Sequence, residues 1–229
     1  GFGALLEPRL LRLLCVVVAL QALQQLSGIN AVVYYTPTVL KEAGVPRLFA
    51  SVGLDENAAS LAATALAYAP RLPAMLATIS LMDRLGRRSL LLRFIPLMAL
   101  SHLALAASLL HMASASSALP AAAAVVALCG YGVAFSLSLG PIPNILTSEL
   151  FPMRARAAAM SVSLAAQFVC NTAVGAGFPA LRASLGSGGV FFAFAAVCAA
   201  GWLVTAVAVP ETKGRALEDD GGEGKTKAS

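Results

Sequence analysis

Charge is scarce in this chain. Asp, Glu, Lys and Arg make up 12% of its 229 residues, where a soluble globular domain carries about 25%. Mean hydropathy is +0.81. This composition excludes a soluble domain and implies a chain that lives in a bilayer. No carboxylate falls inside an apolar run: Glu7, Glu42, Asp55, Glu56, Asp83, Glu149 and Glu211 all sit at the ends of such runs or between them. A cationic ligand or a membrane-depth proton relay therefore finds no evident partner here. Cysteine is sparse too. Cys15, Cys129, Cys170 and Cys198 are isolated within apolar runs, show no metal or disulfide spacing, and read as buried small hydrophobes. With no nucleophile and base pair and no metal-ligand cluster, the sequence gives no support for an enzyme, and neither a metal nor a cofactor is expected. His102 and His111 lie nine residues apart in or beside one apolar run. The net charge of +5 does not point to nucleic acid, because the basic residues fall between apolar runs and read as topology signals. No cleavable leader is expected: Glu7, Arg9 and Arg12 precede a run too long for a signal-peptide core.

Six apolar runs are present, at roughly 13–40, 58–82, 89–111, 119–147, 157–180 and 189–209, each long enough to cross a bilayer as a helix. Charge alternates between them. Arg9 and Arg12 precede the first; Arg84, Arg87 and Arg88 divide the second from the third; Arg154 and Arg156 divide the fourth from the fifth; Lys213, Arg215, Lys225 and Lys227 follow the sixth. The remaining connections carry only Lys41 and Arg47, then nothing, then Arg182. The bias places both ends of the chain on the cytoplasmic side. Residues 1–214 are expected to form one six-helix unit and 215–229 a disordered cytoplasmic tail. Asp55-Glu56-Asn57 looks like a helix start in the external loop after span one.

The first run carries an unusual load of amides: Gln21, Gln24, Gln25 and Asn30, with Ser27-Gly28 at its centre and Tyr34-Tyr35 beyond. Such groups are costly at membrane depth unless they face a cavity or one another. On an unbroken helix Gln21, Gln24, Gln25, Gly28 and Tyr35 share a face, and Asn30 points about 140° away from Gln25 at about 100° per residue. Unwinding at Ser27-Gly28 would return Asn30 to the same cavity. The fourth run is interrupted by Gly140-Pro141-Ile142-Pro143-Asn144 and offers Ser136, Ser138 and Asn144; the fifth offers Gln167, Asn171 and Thr172, with Phe168 as an aromatic surface. Interruptions at matching places of two three-span repeats mark the binding site of a transporter. Amides both donate and accept, as a polyhydroxylated, uncharged ligand requires. Polar side chains joining helices are the competing reading for the fifth run.

Charges at matching ends of spans suggest a cytoplasmic gate. Asp83, Arg87 and Arg88 end the second run and open the third, and Glu149 with Arg156 closes the fourth. Solvated topology charges are the alternative. Arg71 falls near the middle of the second run, between Pro70 and Pro73, where an Arg costs at least about 2.5–3.5 kcal/mol. It lines the cavity, snorkels across a kinked helix, or marks a degraded stretch of sequence.

Four motifs carry a family resemblance. Gln24-Gln25-x-Ser27-Gly28-x-Asn30 with Tyr34-Tyr35, Asp83-Arg84-x-Gly86-Arg87-Arg88, Gly140-Pro141-Ile142-Pro143 with Glu149-Leu-Phe-Pro152-x-Arg154-x-Arg156, and Pro210-Glu211-Thr212-Lys213-Gly214 resemble, in this order, signatures of the second half of sugar porters of the major facilitator superfamily. Leu6-Glu7-Pro8 and Asn144 are similar to the plant tonoplast monosaccharide transporters. The resemblance implies an all-α polytopic membrane fold, six transmembrane helices forming one half of a major-facilitator transporter with a 3+3 inverted repeat. It implies alternating-access transport of a monosaccharide, with Gln24, Gln25, Asn30, Asn144, Phe168 and Asn171 as substrate contacts and Asp83, Arg87, Arg88, Glu149 and Arg156 as the cytoplasmic gate. Phe168 stands where many relatives carry Trp, Asn144 replaces a helix-ten Trp, Ser136 stands where some relatives have a carboxylate, and Arg71 falls close to a sugar-binding Asn. The implied partners are a monosaccharide, the lipid bilayer, a proton as candidate coupling ion, and a missing first half or a full-length relative. The implied location is the vacuolar membrane, with the plasma membrane as alternative. Alternatives to hexose transport are transport of a polyol or inositol, and a non-transporting half-length protein that pairs with full-length relatives.

Overall fold

The computed structural model describes residues 2–46, 53–112 and 119–213. All regular elements among them are helical: a short 3-10 turn at Phe2–Leu6, then α1 (Pro8–Leu26), α2 (Ile29–Glu42), α3 (Glu56–Tyr68), α4 (Arg71–Leu85), α5 (Arg87–Met112), α6 (Leu119–Ser136), α7 (Ile142–Leu150) and α8 (Met153–Ala208). The tail expected from residue 215, and Arg47, lie outside the described residues. Asp55 caps α3 as the sequence suggests, its side chain accepting from the Ala58 N–H.

Among the described residues, five stretches are long and apolar enough to cross a membrane, the last being α8 at 56 residues. That length is about 84 Å at 1.5 Å per residue, nearly three bilayer cores, and α8 does not run straight. Gly186 is non-helical (φ 72°, ψ 167°). The first arm of α8 runs parallel to α1 and α2: Arg154 pairs with Glu7, Gln167 with Gln24, Tyr35 stacks on Phe178, and Arg182 pairs with Glu42. The second arm runs back. Phe194 lies against Gly28 and Gly201 against Leu23, while Gly188 meets Leu110 at the far end of α5 and Arg88 meets Ala206 at its start. The two arms are therefore antiparallel, Gly186 is the elbow between them, and the chain makes six crossings.

α5 lies at the centre of the packing. Leu91, Ile95, Met98, His102 and Leu105, all buried, recur at four- and three-residue steps along one face. They pack against α6 and the second arm of α8. α4, by contrast, presents Leu72, Met75, Leu76 and Ile79 as an exposed apolar stripe. Of the four cysteines only Cys198 is buried. Cys15 is exposed, and Cys129 and Cys170 are half-buried, because they lie on outward-turned faces of their helices. This corrects the expectation of four core cysteines.

Candidate functional site

Two breaks, one in the first crossing and one in the fourth, dictate the chemistry. In the first, α1 stops at Leu26 and α2 restarts at Ile29, with Gly28 in the left-handed region at φ 87°, ψ 13°. A side chain is disfavoured there on two grounds: the backbone conformation itself, and a phenyl ring of Phe194 within 2.7 Å of where a Cβ would stand. The break frees carbonyls. That of Gln24 accepts from Ser27 Oγ at 2.8 Å. That of Ser27 accepts from His102 Nε2 at 2.9 Å and from Tyr131 Oη at 3.2 Å. His102 thus holds a backbone carbonyl in place, inside a cluster with Tyr131, Phe191 and Phe194.

The second break spans residues 137–141, three residues earlier than the sequence suggests: α7 begins at Ile142, and Pro143 and Asn144 sit in its first turn. Pro is tolerated there because the first N–H groups of a helix have no intrahelical partner. Pro143 has no N–H to offer the Leu139 carbonyl four residues back. Gln24 Nε2 supplies the missing donor at 2.7 Å, and reaches the Gly140 carbonyl at 2.8 Å. The breaks are thus capped by other helices: α1 caps the α6–α7 break of the other repeat, while α6 of the other repeat, together with α5 of the same one, caps the α1–α2 break.

The amides form a continuous chain. Asn30 Nδ2 donates to Gln25 Oε1, so the break does turn Asn30 back toward Gln25. Gln25 Nε2 donates to Gln24 Oε1 at 2.8 Å, and Gln167 Nε2 donates to the same oxygen at 2.9 Å. Beside this chain, Gln21 Nε2 donates to Asn144 Oδ1 at 2.7 Å. Gln24 and Gln25 are only 4% and 3% exposed. Asn30, Asn144 and Gln167 are half-buried and form the rim. The expectation that Gln24 and Gln25 themselves border an opening is corrected to this extent: in this conformation they satisfy one another and back the rim amides. Gln21 Oε1 is buried without a partner among the described residues.

Two expected contacts stand apart. No hydrogen bond joins Asn171 to the chain of amides among the described residues. Phe168 is 65% exposed. Gln21, Gln167, His102 and Tyr131 join these networks although the motifs alone did not select them. Pro143 was the available signal, since it announces an orphaned Leu139 carbonyl that something must cap.

At the arginine-rich end, Arg87 pairs with Glu149 at 2.9 Å and more loosely with Asp83 at 3.7 Å. Glu149 also accepts from Thr212 Oγ1 at 2.6 Å. Arg88 donates to the Ala206 carbonyl at 2.6 Å, capping the end of α8. Arg156 bonds locally, to Phe151 O and Met153 Sδ, and does not join Asp83 or Glu149. The Glu211 carboxylate, not foreseen from the sequence, sits on the N-terminus of α5, accepting from the Arg87 N–H at 3.0 Å. Gly86 makes room for it: a Cβ there would stand 2.5 Å from Glu211 Oε2.

The family model described as Sugar (and other) transporter matches residues 4–220. Monosaccharide-sensing protein 1 of Arabidopsis thaliana is 42% identical over 217 residues, 95% of this chain and 29% of that protein. Plastidic glucose transporter 4 of the same plant is 38% identical over 219 residues, 96% of this chain and 38% of that protein. Among solved structures, the proton:xylose symporter XylE bound to 6-bromo-6-deoxy-D-glucose superposes with a TM-score of 0.73 at 27% identity, covering 89% of this chain and 41% of that one. The inward-open xylose transporter XylE from E. coli gives 0.72 at 26% identity, covering 91% and 41%. The chain thus spans less than half the length of each of these proteins.

Proposed function

The chain belongs to the sugar transporter family of the major facilitator superfamily, and on that footing we propose that it is one half of a carrier that moves a hexose by alternating access. The observation that carries this reading is the amide chain Asn30–Gln25–Gln24–Gln167, bonded onto the carbonyls of a broken helix. Its members trade amide-to-amide bonds for bonds to sugar hydroxyls at little net loss, because each amide both donates and accepts. Gln21 Oε1, without a partner among the described residues, is an acceptor for a ligand hydroxyl. Asn144 and Asn171 extend the rim, and Phe168 offers its ring to a second half facing α8.

A further six-helix half, packed over the half-buried amides, completes the site. The greater length of the relatives and the exposed stripe on α4 support that arrangement. Asp83, Arg87, Arg88 and Glu149 act as the inner gate, with Arg156 steadying the turn before α8. Both ends of the chain face the cytoplasm. The protein resides in the vacuolar membrane, the reading supported by its likeness to the monosaccharide-sensing proteins; a fluorescent fusion seen at the plasma membrane would overturn that location.

Reconstitution in proteoliposomes, with the chain joined to a first six-helix half, tests the function. Saturable hexose uptake competed by hexoses is expected. Competition by polyols or inositol alone would move the substrate to the polyol class, and absence of flux would favour a non-transporting protein that pairs with longer relatives.

A further inference from the structure

Arg71 opens α4 immediately after Pro70, half-buried at membrane depth. No acidic group pairs with it among the described residues. The acidic residues collect at the two ends of the molecule: Glu42 with Arg182 at one, Glu149 and Asp83 with Arg87, and Glu7 with Arg154, at the other. Arg71 is fixed on one side only. Its Nε donates to Ser136 Oγ at 3.1 Å, and its guanidinium lies over the Phe135 ring, 5.4 Å from the centroid. Both contacts are neutral. They orient the planar group without neutralising it, and the two Nη nitrogens have no hydrogen-bond partner among the described residues. A guanidinium held by Nε keeps its outer Nη edge, the geometry that takes the two oxygens of a carboxylate.

A relay of contacts through Phe135 links this guanidinium to the amides. The Phe135 ring that carries the guanidinium packs, at 3.3 Å, where a Cβ on Gly140 would stand, and the Gly140 carbonyl receives Gln24 Nε2. One phenyl ring thus separates an unneutralised cation from the hydrogen-bonding groups that hold hydroxyls. We infer that Arg71 makes this an acid-sugar site: the ligand is a hexose carrying a carboxylate, whose hydroxyls meet the amides and whose carboxylate meets the Nη edge of Arg71. The inference rests on the amide chain being the sugar site.

The test is equilibrium binding of radiolabelled D-glucose and D-glucuronate, in lipid nanodiscs, to the full chain joined to a first six-helix half, for the wild type, Arg71→Gln and Arg71→Lys. Glucuronate is expected to bind at least tenfold more tightly than glucose, with a preference that shrinks as salt rises. Arg71→Gln should abolish the preference while leaving glucose binding within about twofold, and Arg71→Lys should retain part of it, since a point charge remains without the paired donors. Equal or weaker binding of glucuronate by the wild type overturns the inference while glucose binding preserves the hexose reading. A preference that survives Arg71→Gln also overturns it. Acetate competing as well as glucuronate would show a bare anion site and overturn the acid-sugar assignment. If neither sugar binds to a chain of unchanged helix content, the hexose reading falls, and this inference with it.

Discussion

Gln24 is the side chain on which most of the polar interior depends. It serves the carbonyls of Leu139 and Gly140 and accepts from Gln25 and Gln167. Gln24→Ala therefore strands several buried groups, at about 1–3 kcal/mol for each left unsatisfied. Unfolding in detergent should show a loss of about 2–4 kcal/mol after partial relaxation. Asn30→Ala, which strands only Gln25 Oε1, should cost about 1 kcal/mol by the same reckoning. Equal losses would contradict the hierarchy. Gly28 is the second sensitive residue. Gly28→Ala meets both a left-handed backbone, at about 1–2 kcal/mol, and the Phe194 ring, at about 1–3 kcal/mol of overpacking. Adding Phe194→Ala should recover the steric part of the Gly28→Ala effect and not the backbone part, so unfolding of the pair measured against Phe194→Ala alone should still show a deficit. The amides of the first span were legible because such groups need a reason to be in lipid. Their partners were not, since which carbonyl an amide caps depends on how two distant breaks pack.

The broken helices are where sequence and structure agree best and also where the remaining differences have the clearest cause. Ser27-Gly28 breaks where it reads as breaking. The Pro-rich interruption begins earlier, because Pro141 and Pro143 suit the start of α7 and the unwound residues are those before it. Gly186 hides an elbow inside what is otherwise continuous helix; its short polar connection was visible, its geometry was not. Arg71 read as a charge in mid-span and turns out to open the helix after Pro70. The junction of α4 and α5 makes its own prediction. Gly86 has φ 84° and ψ 159°, a region open essentially to Gly alone, and it shelters the Glu211 carboxylate on α5. Gly86→Ala should release the segment after Val209, read as faster proteolytic removal of the C-terminal residues with the rest of the chain intact. Unchanged cleavage would show that Glu211 does not anchor that segment.

Taken together, the six crossings place the basic residues and their acidic partners at one end, a smaller pair, Glu42 and Arg182, at the other, and the amides between. The count of crossings was legible from apolar runs, and the shared end of the basic clusters from their alternation. That Glu211 and Thr212 join the Arg87–Glu149 pair was not, since residues far apart in sequence meet there only after the last crossing returns. If this network is the inner gate, Arg87→Ala and Glu149→Gln should each alter transport rate and the double variant should do no more than either alone, because both remove one interaction. Additive effects would assign the two residues separate roles.

Labelled-glucose uptake into proteoliposomes, by the chain joined to a relative's first six helices, addresses the amide site itself. Gln25→Ala and Asn30→Ala should each lower uptake at least tenfold at equal membrane insertion. Wild-type uptake in both variants would contradict the assignment of these amides to the sugar.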